Sequence, residues 1–194
     1  MKSYPILVSK NTTRFKEISK IYFLVTMAKG IGNGFPMAAV ITTQSIAASL
    51  TQAMFFNTFG GQPLSAAIGS KVLDIIDEEK LQQNSLKIGT LLMTKLKELR
   101  DGKYNNIVGD VRGQGLMIGV EMMVENKSMP ADQMSAIFED CKELGLVIGK
   151  GGPNGNVFRI KPPMCINEQD VQFTIDVLKV AFDRHYDRLR ASAQ

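Results

Sequence analysis

Apolar and polar positions alternate with two different periods along this chain. From Leu64 to Arg100 the residues Val72, Ile75, Ile76, Leu81, Leu86, Ile88, Leu91, Leu92, Leu96 and Leu99 recur near the helical repeat of about 3.6, with Glu, Lys and Gln between them. That stretch predicts two helices, or one bent near Glu79–Asn84, and Pro63 is well placed to open it. Two β-branched and aromatic runs, "IYFLVTM" (21–27) and "AAVITT" (38–43), predict short buried strands. Gly30, Gly32, Gly34 and Pro36 force an irregular loop between them. "TTQSIAASL" predicts a short helix capped by Thr42 or Thr43, and "FNTFGGQP" (56–63) a turn-rich connection.

Past residue 100 the pattern becomes mixed. "IVGDVRGQGLMIGVEMM" (107–123) reads as strand, turn, strand, with Gly113 and Gly115 marking a bulge or turn. A helix is expected over 130–144, short strands at "GLVIG" and "VFRIKPPM", and a closing amphipathic helix over 167–190. The expected organisation is a leader over 1–20, a first domain over 21–85 and an α+β second domain over 86–194.

Charge and composition narrow the function classes. The net charge is +4, but acids and bases alternate over the last two-thirds, so no basic block marks a nucleic-acid face. No apolar run approaches the ~18 residues that span a bilayer. Cys141 and Cys165 are too few and too isolated for a disulfide framework or a zinc site, so no metal is expected and both read as core thiols. The leader carries Lys2, Lys10, Arg14 and Lys16 before its first acid, Glu17. Pro5 and the missing amphipathic stripe argue against a transit peptide, and the composition suits a disordered leader.

The chemistry centres on "MAKGIGNGFPMAAV" (27–40). Between Ile21 and Ser70, Lys29 is the only charged side chain. An amine removed from water and from carboxylates loses its proton more readily and becomes nucleophilic, which is what a Schiff-base lysine requires. The alternative is a lysine that snorkels out from a strand end, and spacing leaves both open. Neither a P-loop nor a GxGxxG fingerprint fits here. Arg159, among the apolar residues of "VFRIKPPM", needs a partner: a ligand carboxylate or an internal acid. Arg112 reads as structural, capping the turn of "VRGQG", and His185 as a solvated residue on the polar face of the last helix.

Four ordered segments carry a resemblance. "VTMAKGIGNGFPMAAVITT", "FNTFGGQP", "VGDVRGQGLMIGVEM" and "FRIKPPMCI" resemble the class III aminotransferases, which use pyridoxal phosphate, from about Val25 to about Ala181. The resemblance implies an α/β fold: the C-terminal part of a fold-type I pyridoxal-phosphate-dependent transferase, with a remnant of the large parallel-sheet domain and an α+β small domain. It implies that Lys29 holds the cofactor covalently and shuttles a proton, that Thr58 binds the cofactor phosphate across a dimer interface, and that Arg159 holds the substrate α-carboxylate. Without the family, Thr58 reads as an ordinary turn residue. The family pattern has Asn where this chain has Gln62.

The resemblance also implies amino transfer between an alanine-like amino acid and a glyoxylate-like keto acid, a mitochondrial location (otherwise cytoplasmic), and a homodimer or mixed dimer with a full-length subunit. A glycine–threonine phosphate loop, a ring-stacking aromatic and an aspartate for the pyridine nitrogen belong upstream of the family lysine. They have no match in these residues, so this chain alone is expected to be a weak or inactive transaminase. The alternative is a non-catalytic module that pairs with complete subunits.

Overall fold

In the computed structural model, residues 24–53 and 56–192 are described, so the expected leader and the start of the first strand lie outside the described residues. The described chain falls into two compact units, with the division along the sequence between Lys80 and Leu81.

In the first unit, β1 (Leu24–Ala28) pairs antiparallel with β2 (Ala38–Thr42), with Ala28 opposite Ala38 and Leu24 opposite Thr42. The connection over residues 29–37 is shorter than the dozen or so residues that a parallel crossover needs, so the two strands fold back as neighbours. Both were expected to be buried, and both instead alternate between exposed and half-buried positions, with Leu24 55% and Val40 59% exposed. A two-stranded ribbon covers neither of its own faces.

Helix α1 (Gln44–Gln52) follows, and the Thr43 carbonyl accepts the Ala47 N–H at 3.0 Å, which puts Thr43 in the capping position. Helix α2 (Pro63–Glu78) starts with proline in its first turn. Its cap is Gln62, whose side-chain oxygen accepts the Ser65 N–H at 3.2 Å and the Ser65 hydroxyl. Gln62, the departure from the family pattern, thus satisfies an N–H that the first helical turn leaves free. The helical stretch breaks at Lys80, which has a left-handed backbone at φ 52.

The second unit combines an antiparallel sheet with three helices. Strands β3 (Val108–Gln114), β4 (Met117–Val124), β6 (Gly149–Gly151) and β7 (Val157–Ile160) lie in the order β3-β4-β7-β6, and the short β5 (Lys127–Ser128) pairs with β4. Helices α3 (Leu81–Asp101), α4 (Ala131–Glu143) and α5 (Glu168–Ser192) complete it. The two periods seen in the sequence meet in one core. Ile88, Leu92, Leu96 and Leu99 of α3 are buried at helical spacing, and Ile118, Val120 and Met122 of β4 at alternate positions.

Gly89 and Gly115 bring α3 against the β3–β4 turn. A Cβ on Gly89 would stand 2.2 Å from the Gly115 carbonyl oxygen, so α3 crosses with backbone against backbone. The expected turn is present at Gly115, with φ 55, while the bulge falls earlier, at Gly109 between Val108 and Asp110. The strand expected at "GLVIG" is displaced to Gly149–Gly151. Residues 144–146 are used to close α4 instead: the Leu146 N–H reaches the Cys141 carbonyl at 2.8 Å, and Gly145 is left-handed at φ 86.

Candidate active site

Lys29 follows the last residue of β1 and opens a single 3-10 turn, Lys29–Gly32. Its φ of 59 is left-handed, which costs a residue with a Cβ about 1–2 kcal/mol. Asn33 and Gly34 follow with φ 47 and 98, and the Asn33 N–H closes onto the Gly30 carbonyl at 3.0 Å. The loop thus reverses tightly and leaves the lysine at its outer edge. Lys29 is exposed, and among the described residues no carboxylate pairs with it. The dry surroundings expected from its uncharged neighbourhood are not supplied by the described residues of this unit.

Met37 fastens the loop from below. A Cβ on Gly32 would stand 2.8 Å from Met37 Cγ, and one on Gly69 of α2 would stand 2.5 Å from Met37 Cε. The methionine therefore lies between two buried glycines and ties the Lys29 turn to α2.

Thr58 sits in the exposed turn before α2. Asn57 organises that turn: its side-chain oxygen accepts the Phe59 N–H at 2.9 Å, and its carbonyl accepts the Gly60 N–H at 3.0 Å. Asn57 leaves the Thr58 hydroxyl without a partner among the described residues.

Arg159 is the exposed residue of β7, whose Val157, Phe158 and Ile160 are all buried. It makes no ion pair with any described residue, so the internal salt bridge considered from the sequence is not formed among them. With Leu146, Lys161, Asp170 and Thr174 it lines an open cleft of about 220 Å³ in the second unit. Two cations against one acid give this cleft a positive balance.

The other charged residues of interest are committed within the fold. Arg112 does not cap the turn but bridges β3 and β4, with Nη1 2.8 Å from Asp110 and 2.6 Å from Glu121. Hydrogen bonds to those two carboxylates raise its pKa further. His185 is 1% exposed, not solvated, and its Nε2 has no partner among the described residues. Burial lowers its pKa first and Arg188 second, against Asp140. The signal was present in the sequence: Val171, Ile175, Leu178 and Phe182 form a stripe that reaches His185 at the next helical step. Asp140 itself, 7% exposed, accepts hydrogen bonds from Arg184 and Arg188. Cys141 is buried as expected, whereas Cys165 is exposed.

Comparisons with known proteins identify the family. The family model described as aminotransferase class-III matches residues 23–182. Mitochondrial alanine–glyoxylate aminotransferase 2 of Homo sapiens is 52% identical over 169 residues, covering 85% of this chain and 32% of the relative. An aminotransferase structure from Bacillus anthracis superposes with a TM-score of 0.75 at 34% identity, covering 84% of this chain and 39% of that one. An amine transaminase from an uncultivated Pseudomonas species, solved in the PLP-bound (internal aldimine) form, gives 0.75 at 28% identity over 84% of this chain and 38% of that one. The chain belongs to the class III aminotransferase family. Its mixed α/β architecture is that of a part of a fold-type I transferase, and it spans about a third of the length of the curated relative it matches.

Proposed function

We propose that this chain carries the lysine-bearing, C-terminal part of a pyridoxal-phosphate-dependent transaminase that moves an amino group between an alanine-like amino acid and a glyoxylate-like keto acid. The observation that carries the proposal is Lys29. It is an amine held in a costly left-handed conformation, with no acid paired to it among the described residues, in a segment that has no other charge. Strain of this kind persists where the fold over-determines it, and it concentrates at functional residues. The names of the human relative and of the PLP-bound structure support the substrate and cofactor classes.

The donor set fits the cofactor. Lys29 offers a primary amine, and the Thr58 turn offers a hydroxyl that no described residue engages and that can donate to a phosphate. When bound, pyridoxal phosphate acts as the electron sink that makes an amino-acid α-proton removable. Lys29 Nζ is the base that takes and returns this proton. Arg159 holds the substrate carboxylate through its planar fork, which fixes the orientation of the α-carbon. Lys161 adds positive charge to the same cleft.

Because this chain spans about a third of the relative's length, its turnover alone is expected to be low. The relative's mitochondrial name supports a mitochondrial location. To test the cofactor role, the chain is treated with pyridoxal phosphate and then borohydride, and its peptides are weighed. A cofactor adduct confined to the peptide containing Lys29, and lost in Lys29→Ala, supports the proposal. An adduct spread evenly over surface lysines would overturn it.

One observation favours a second reading, a non-catalytic module that pairs with complete subunits. Leu24, Val40, Phe56 and Phe59 of the first unit are large apolar side chains left exposed, Phe59 by 80%. Light scattering of the chain mixed with an intact relative distinguishes the readings, since pairing without a Lys29 adduct supports the module.

A further inference from the structure

Strand β6 offers Arg159 a surface with no side chains. Gly149 lies directly opposite Arg159 in the antiparallel register, and Gly151 lies opposite Val157. Strand side chains alternate between faces, so Gly149 and Gly151 share the face of Arg159 while Lys150 points the other way. Lys150 indeed reaches Ser135 at 3.0 Å and stands over the Phe138 ring. On the glycine face, a Cβ at position 149 would stand 3.3 Å from Arg159 Cβ. One at position 151 would stand 2.9 Å from Arg159 Cδ and 3.9 Å from Nη1. The arginine stem therefore lies along β6 and crosses the place that a side chain at 151 would fill.

We propose that Gly151 is a positioning residue: by having no side chain it lets Arg159 lie flat along β6, and so sets the direction from which the guanidinium meets a carboxylate ligand. No ion pair with a described residue orients Arg159, so its direction depends on the strand surface beneath it. The backbone of Gly151 is not left-handed, so alanine is compatible with its conformation. The collision is with the middle of a flexible, exposed side chain, which moves at lower cost than backbone does. Gly151→Ala should therefore fold, with Arg159 displaced. The role of this displacement in ligand binding rests on the carboxylate reading of Arg159.

The test is NMR on the full chain, first without ligand and then with pyruvate as the probe. In the wild type, Arg159 Hδ protons should show contacts to the Gly151 Hα protons, and these should be lost in Gly151→Ala while contacts between Lys150 and Phe138 persist. Pyruvate should shift the Arg159 Nε–H resonance, and Gly151→Ala should weaken that binding by about tenfold. Methyl pyruvate, which has no carboxylate, should respond equally in both proteins. If Arg159 keeps its contacts to residue 151 in Gly151→Ala, or if pyruvate binds this variant as it binds the wild type while Arg159→Ala loses it, the positioning role is wrong. If pyruvate fails to move Arg159 Nε–H, or if Arg159→Ala binds pyruvate unchanged, the carboxylate reading fails, and the ligand-free contacts still decide the positioning. If Gly151→Ala loses the β6–β7 hairpin, the ligand-free wild type decides: Arg159 Hδ protons without contacts to the Gly151 Hα protons would overturn the positioning role.

Discussion

Arg188 Nη2 lies 2.6 Å from Asp140 Oδ2, joining α5 to α4 beside the buried imidazole of His185. The pair satisfies a carboxylate that is nearly sealed from water, and Arg184 adds a second donor at 3.2 Å. Its neighbour His185 has no such compensation at Nε2 among the described residues.

That contrast predicts a pH dependence. Burial, with Arg188 assisting, lowers the His185 pKa below its ordinary 6.5 in the folded chain. Between that lowered value and 6.5, the unfolded chain binds the proton and the folded chain does not. The stability associated with a neutral His185 is therefore complete above pH 6.5 and falls as the pH drops, with a limiting slope of about 1.4 kcal/mol per pH unit. Urea midpoints measured from pH 8 to pH 5 should decline over this window, and His185→Gln should flatten the decline. A slope unchanged in that variant would assign the dependence to other groups.

The crossing of α3 over the β3–β4 turn separates two glycines. Gly89→Ala forces a Cβ against the Gly115 backbone at 2.2 Å, and overpacking of this kind costs on the order of 3 kcal/mol. Gly119→Ala meets Val157 Cγ1 at 3.4 Å and the Arg112 carbonyl oxygen at 3.9 Å, both ordinary contacts, and should cost less than about 1 kcal/mol. Chemical denaturation of the two variants should rank them in that order.

Lys29 is expected to trade stability for chemistry. Lys29→Gly removes the Cβ penalty of the left-handed conformation and should slow hydrogen exchange across the β1–β2 ladder by about fivefold, equivalent to about 1 kcal/mol. The same variant should lose the borohydride-fixed cofactor adduct. Faster exchange in Lys29→Gly would mean that the lysine side chain supports the loop.

The two cysteines should differ sharply in reactivity. Burial, and then the Asp140 charge, pushes the Cys141 thiol up to about 12, while Cys165 is exposed. Iodoacetamide at pH 8 should therefore alkylate Cys165 in the native chain and reach Cys141 only after unfolding, as read by peptide mass. Native labelling of Cys141 would show that the α4 core opens readily.

Sequence by itself determined what depends on neighbours along the chain. The apolar spacing of Leu92, Leu96 and Leu99 identified α3, Pro63 marked the start of α2, and the glycines after Lys29 marked its loop. Four ordered motifs sufficed to identify the family. Tertiary structure decided whatever depends on residues far apart in sequence meeting in space. His185 is buried because α5 packs against both α3 and α4, so its burial is not set by the polar residues beside it. Arg112 pairs with Glu121 because β3 and β4 are in register, and β6 begins at Gly149 because the chain first closes α4. The loop lysine was legible as an amine without charged neighbours, but its exposure was not, because the sequence of one segment does not show what covers it. Gly151 carries no signal of its own in the sequence, and only the strand register places it beneath Arg159. Local periodicity encodes which face a residue takes within its own element, and only the packing of elements decides what that face meets.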